Sequence, residues 1–227
     1  MAPSRVEVNM DFRELSLQEQ LLLLALDDES GEFRAGYFAY ALNSAALIEL
    51  IDRGAVSVDG ETVRVISAQA TGVDALDLAL SHLVTGFGEA NLERVVRLLY
   101  RHPSTVEEIL LARLELKGIL REDEGRFLWV FSQLTHPTAD PSVEGRMRQS
   151  LKAILLGQAS GTAAESRLAA LVNACGLIEA VLTDEEIREH PDAIESARTA
   201  DPLGAAIAGA ILAVVKEDRL TMAVAPP

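Results

Sequence analysis

The chain has 227 residues, 49% of them hydrophobic and 24% charged, with 8 Pro and 15 Gly. That is ample apolar material for a packed core and excludes a disordered or fibrous chain. Lys and Arg number 20 against 35 Asp and Glu, a formal charge of −15, so the field of the whole molecule repels nucleic acid and anionic membrane alike, and any such binding must be local.

Residues 1–9 carry Pro3, Glu7 and Asn9 without an apolar run, which predicts no secretory signal and a cytosolic location. Ser16 and Glu19 form a candidate capping box ahead of the apolar run 21–26 and predict a helix over 17–27. Asp27, Asp28, Glu29 and Glu32 lack the residue order of a calcium loop and read as a solvated loop. The next helix spans 38–53, with Leu42, Ala46, Leu47, Leu50 and Ile51 on one side and Gly54 placed for a left-handed cap. Residues 55–58 and 62–66 then alternate around Asp59-Gly60, a strong hairpin signal.

Helices are expected over 73–85, 92–101 and 106–116. After the last of these, Lys117-Gly118 ends the helix, 119–121 starts a strand, the acidic stretch 122–125 turns, and 126–131 returns. The chain therefore reads as two copies of helix, glycine cap and hairpin. Further helices are expected over 143–156 and 163–182, with Thr183 and Glu186 as a second capping box and Asp201-Pro202 opening a buried helix over 203–215. At 13 residues that last apolar run falls short of the roughly 20 needed to span a bilayer. Residues 12–220 are expected to form one mainly α domain, with flexible ends at 1–11 and 221–227.

Catalytic spacing is missing. There is no His-Glu-x-x-His, no Walker-type glycine loop and no Gly-x-Ser-x-Gly elbow, and the histidines at 82, 102, 136 and 190 are scattered. Neither a metal nor a cofactor is called for. Cys175, the one cysteine, has no base or ligand beside it and reads as a buried free thiol.

Two local features stand out. Arg94, Arg97 and Arg101 fall at i, i+3 and i+7, a stripe able to grip phosphate unless it pairs with acids such as Glu93. Phe127, Leu128, Trp129, Val130 and Phe131 are consecutive, so the return strand is either covered on both faces or presents large apolar groups to a partner or a bilayer edge.

Helix-glycine-hairpin repeats also describe a tandem winged-helix DNA-binding protein. The helices before both hairpins, however, carry acids where a recognition helix needs positive charge. An enzyme with an acidic cleft is motivated only by the carboxylate surplus. The preference for arginine over lysine and the abundance of alanine point to a GC-rich bacterial genome.

The opening Leu15 to Gly31, the block Ala46-Leu47-Ile48-Glu49-Leu50 through Arg53-Gly54, then Leu114 through Lys117-Gly118-Ile119-Leu120, and Phe127-Leu128 through Thr135-His136-Pro137 occur in one order. Together they resemble the Golgi phosphoprotein 3 family over about residues 12–216. The resemblance implies an inner helical bundle, a ring of amphipathic helices, a projecting hydrophobic hairpin and a function without catalysis. It also implies phosphatidylinositol 4-phosphate binding, adaptor activity, and membrane contact or self-association through the hairpin. The residues of the family's headgroup pocket fall here near Arg34, at Asn43, and at Ser104 and Glu107, so the eukaryotic pocket is not preserved. The expected contacts are thus Arg94, Arg97 and Arg101 toward phosphate, and Phe127, Leu128, Trp129 and Phe131 of the 119–131 hairpin toward a membrane or protein partner.

Overall fold

In a computed structural model the described residues are 10–26, 37–100, 103–120 and 141–224. After a turn of 3-10 helix at Phe12–Glu14, helix α1 (Leu17–Ala25) begins on a complete capping box. Ser16 Oγ accepts the Glu19 N–H and the Glu19 carboxylate accepts the Ser16 N–H. Every residue of α1 is buried, and it packs on α2 (Phe38–Asp52), whose side chains are buried on most of its circumference. Uniform apolarity, rather than amphipathic periodicity, marks these two as the centre of the core.

Around them lie α3 (Asp74–Gly86), α4 (Leu92–Leu99), α5 (Pro103–Leu116), α6 (Pro141–Leu155), α7 (Ala163–Cys175), α8 (Asp184–Glu189), α9 (Pro191–Thr199) and α10 (Pro202–Val224). The mainly α class read from the sequence is what the structure has. Ile207, Ala208, Ile211 and Val214 of α10 are buried, as expected of a core helix, but the helix runs nine residues past the predicted end. It packs along α7, where Gly204 permits a close approach: a Cβ there would stand 3.1 Å from the Arg167 Cα. Arg167 pins the same corner by pairing with Asp52 of α2 at 2.7 Å and Asp201 at 3.1 Å. Among the described residues no single helix is long and apolar enough to cross a membrane.

Helices α2 and α5 end alike. Gly54 and Gly118 adopt left-handed φ of 70° and 72°. In each case the glycine N–H and the N–H after it return to carbonyls of the last turn: Gly54 to Ile51 and Ala55 to Leu50, Gly118 to Glu115 and Ile119 to Leu114. This is the Schellman closure, which residues with a Cβ disfavour. After Gly54, β1 (Val56–Asp59) and β2 (Thr62–Val65) pair antiparallel, with Val58 opposite Val63. Their two-residue loop is Gly60-Glu61, one residue later than Asp59-Gly60, because the first loop position needs the positive φ that Gly60 supplies at 59°. A third strand, β3 (Glu89–Asn91), pairs with β2 and completes a small sheet. Three residues are too few to show alternation, so the sequence carried no signal for it.

Two further departures concern helix ends. The stretch 163–182 is not one helix: α7 stops at Gly176 (φ 81°) and a 3-10 turn, Leu177–Ala180, follows. Helix α9 was not expected, although Pro191 at its first position is a start signal. The capping box at Thr183 and Glu186 opens α8 as predicted. Of the segment expected to form the second hairpin, only Ile119 and Leu120 are described, both buried; the expected acidic turn and return strand fall on residues 121–131 and the expected loop on 27–32, all outside the described residues.

Candidate functional site

The arginine stripe on α4 is divided by its surroundings. Arg94 is exposed. Arg97, one turn on, meets α10, where its guanidinium donates to Glu217 at 2.6 Å and to Asp218 at 2.7 Å. Arg101 lies outside the described residues. Arg94 and Arg97 border a cleft of about 160 Å³ with Gly86 and Leu98, but an anion there competes with two carboxylates for Arg97.

Asp218 is shared. It also accepts the Tyr40 hydroxyl at 2.6 Å, and Tyr40 stacks on Tyr100 with centroids 4.1 Å apart. The Tyr40 hydrogen bond and the Arg97 charge hold the Asp218 carboxyl below its ordinary range, whereas burial, together with Asp218, raises the Tyr40 hydroxyl above its own. This network fastens α2, α4 and α10 together around one carboxylate, and the acids paired with Arg97 come from α10, not from Glu93.

The described positions that the resemblance assigned to a headgroup pocket, Asn43, Ser104 and Glu107, carry no cation. Asn43 is only 4% exposed and its amide donates to Ala39 O one turn back, at 2.8 Å. Ser104 is exposed, and Glu107 is half-buried, its carboxyl raised by burial and by Glu108 beside it. Arg34 lies outside the described residues, as do Phe127, Leu128, Trp129 and Phe131.

What sequence reasoning missed is an ionic cluster at the end of α5, beside Lys117-Gly118. Glu19 is fully buried, yet it accepts from Lys117 Nζ at 2.7 Å, from Arg113 Nε at 3.0 Å and from its capping-box partner Ser16 N at 2.8 Å. Burial alone raises a carboxyl, but these donors outweigh it and leave Glu19 below the usual range. Glu49 packs nearby and accepts the Gln18 N–H at 3.2 Å, and here burial wins and its carboxyl is raised. Glu19, Glu49 and Lys117 belong to three separate sequence blocks, and the fold brings those blocks to one node immediately before Ile119. A capping box with a lysine-glycine helix end was the available signal; their contact spans 98 residues of chain.

Among the described residues no group of His, Cys, Asp and Glu is placed to hold a metal. Comparison with curated proteins finds no match to this sequence. The Golgi phosphoprotein 3 (GPP34) family profile matches residues 17–214, from the first residue of α1 to the buried middle of α10. With nearly the whole described fold inside that match, the chain belongs to the Golgi phosphoprotein 3 family.

Proposed function

We propose that this protein is a non-catalytic adaptor that attaches from the cytoplasmic side to a membrane or to a partner protein through its 119–131 segment, with a headgroup site altered from the phosphatidylinositol 4-phosphate pocket of the eukaryotic family. The observation that carries this reading is the family match over residues 17–214. The buried Glu19 cluster supports it, because a fixed Lys117-Gly118 gives the segment that follows a rigid base. Asn43 turned into its own helix and Glu107 in place of a cation argue that any headgroup contact is made elsewhere, with exposed Arg94 the first candidate. A DNA-binding reading finds no support in α2: the helix that precedes the first hairpin is buried on most sides and has no face to lay in a groove.

Flotation with neutral, anionic and phosphatidylinositol 4-phosphate-containing vesicles tests the proposal, alongside capture of the protein by a second copy of itself. Binding to vesicles or self-association that is lost in the variant Phe127→Ala, Trp129→Ala, Phe131→Ala is the expected result. Binding unchanged by that triple substitution overturns the role of the segment.

A further inference from the structure

The last third of α10 carries Lys216, Glu217, Asp218 and Arg219 in succession, and the fold sorts them by sign. Glu217 and Asp218 turn toward Arg97 and Tyr40. Lys216 and Arg219 instead border a groove between α10, the end of α7 and Tyr37. Arg219 lies over the Tyr37 ring, 4.6 Å from its centroid, and its Nε donates to the Tyr37 hydroxyl at 2.8 Å. That holds the guanidinium at the rim, and its terminal nitrogens have no partner among the described residues.

The groove has a volume of about 630 Å³, within the roughly 300–1,000 Å³ of small-ligand clefts. Leu212, Val215 and Leu220 form one wall and Ala174 and Cys175 the other, and no carboxylate is among the described residues that line it. Leu212 is 43% exposed and Leu220 59% exposed, surface that folding alone does not use. The Cys175 thiol is buried, with burial pushing it up to about 12, so it adds apolar wall and no charge. In a chain of charge −15, a cleft whose described lining holds two cations and no acid is a local inversion.

Apolar walls leave a free phosphate unexplained, and paired cations leave a neutral alkyl chain unexplained. Both features together fit a ligand in two parts. We propose that this groove takes up one single-chain amphiphile with an anionic head, a fatty carboxylate or a lysophospholipid, its chain along Leu212, Val215 and Leu220 and its head against Lys216 and Arg219. The site is separate from the 119–131 segment and from Arg94, so it stands whether or not the adaptor reading does.

The test is titration of the full, ¹⁵N-labelled chain with sodium dodecanoate below its micellar concentration and, in a parallel arm, with lauroyl lysophosphatidylglycerol. Saturable amide shifts confined to residues 174–176 and 212–220, in one or both arms, are expected. Hexanoate and dodecyl maltoside should bind more weakly, the first lacking chain length and the second charge. Because Lys216 and Arg219 are exposed, the variant Lys216→Glu, Arg219→Glu should keep its fold by circular dichroism and lose roughly tenfold or more in affinity for the anionic ligands. No saturable shift in either arm, shifts elsewhere, or equal affinity in the charge-reversed variant overturns the proposal. So does reproduction of the same shifts by anionic vesicles alone, which assigns the face to a bilayer surface.

Discussion

Lys117 Nζ lies 2.7 Å from the carboxylate of Glu19, a residue 98 positions earlier with no exposed surface. Arg113 shares that carboxylate at 3.0 Å, and the two cations keep 25% and 32% of their side-chain surface in water. The arrangement is asymmetric, since the acid has nowhere to go if its partners are removed, whereas the cations can turn to solvent.

Removing the cations should therefore cost more than removing the acid. The variant Arg113→Met, Lys117→Met is expected to lose about 3–5 kcal/mol of unfolding free energy, the range for stranding a buried charge. Glu19→Gln keeps the shape and part of the cap and should lose less, about 1–2 kcal/mol. Urea denaturation of both variants measures the difference, and a larger loss in Glu19→Gln contradicts the account.

Glu49 behaves in the opposite sense from Glu19. Burial raises its carboxyl in the folded state, with the Glu19 charge adding to the effect and Arg53 and Arg113 opposing it. The folded protein thus holds the Glu49 proton to higher pH than the unfolded chain, and stability from this group falls as pH rises through its folded-state value. Glu49→Gln should raise the Tm at pH 7.5 and change it little at pH 4. For Glu19, whose carboxyl is lowered, the stabilisation is present at neutral pH and lost as pH falls through its folded-state value. A Glu49→Gln protein with the same Tm increment at both pH values would count against burial as the cause.

Within α2, the Ser44 hydroxyl is fully buried and has no hydrogen-bond partner among the described residues. An unsatisfied buried hydroxyl is destabilising, so Ser44→Ala should gain about 1 kcal/mol. Thermal unfolding reads this directly, and a loss of stability would mean that the hydroxyl is satisfied by a water.

Arg97 is held by Glu217 and Asp218, and releasing it should strengthen any anion contact on α4. The variant Glu217→Gln, Asp218→Asn is expected to bind phosphate-bearing vesicles several-fold better than the parent, with the gain erased by Arg94→Ala. Asp218→Asn also weakens the Tyr40 hydrogen bond, at about 1 kcal/mol of stability. An unchanged vesicle affinity would remove α4 from consideration as a headgroup site.

Local chemistry made much of the fold legible. The capping boxes at Ser16 and Thr183, the glycine ends at Gly54 and Gly118 and the alternation of 56–65 each act within a few residues, and the structure has them all. Apolar runs likewise announced α1 and the start of α10. Of the missed elements, α9 had a local signal in Pro191, whereas β3 takes its stabilisation from elsewhere and exists because β2 offers it an edge. The candidate site was less legible for the same reason. Spacing placed Arg94 and Arg97 on one face of α4, but only the packing of α10 decides that Arg97 is neutralised 120 residues away. Lys117 was read as a helix end, and its partner Glu19 as a cap; that they are one ion pair is a fact of tertiary packing.

The closure at Gly118 has a mechanical consequence. Chain leaving α5 passes through Ile119 and Leu120, both buried, while Lys117 just before them is tied to the first helix of the core. A pull applied beyond residue 120 is therefore not absorbed by unwinding the end of α5. It passes through Lys117 and Arg113 into Glu19, and from there into α1, every residue of which is buried, so the end of α5 and the core yield together or not at all.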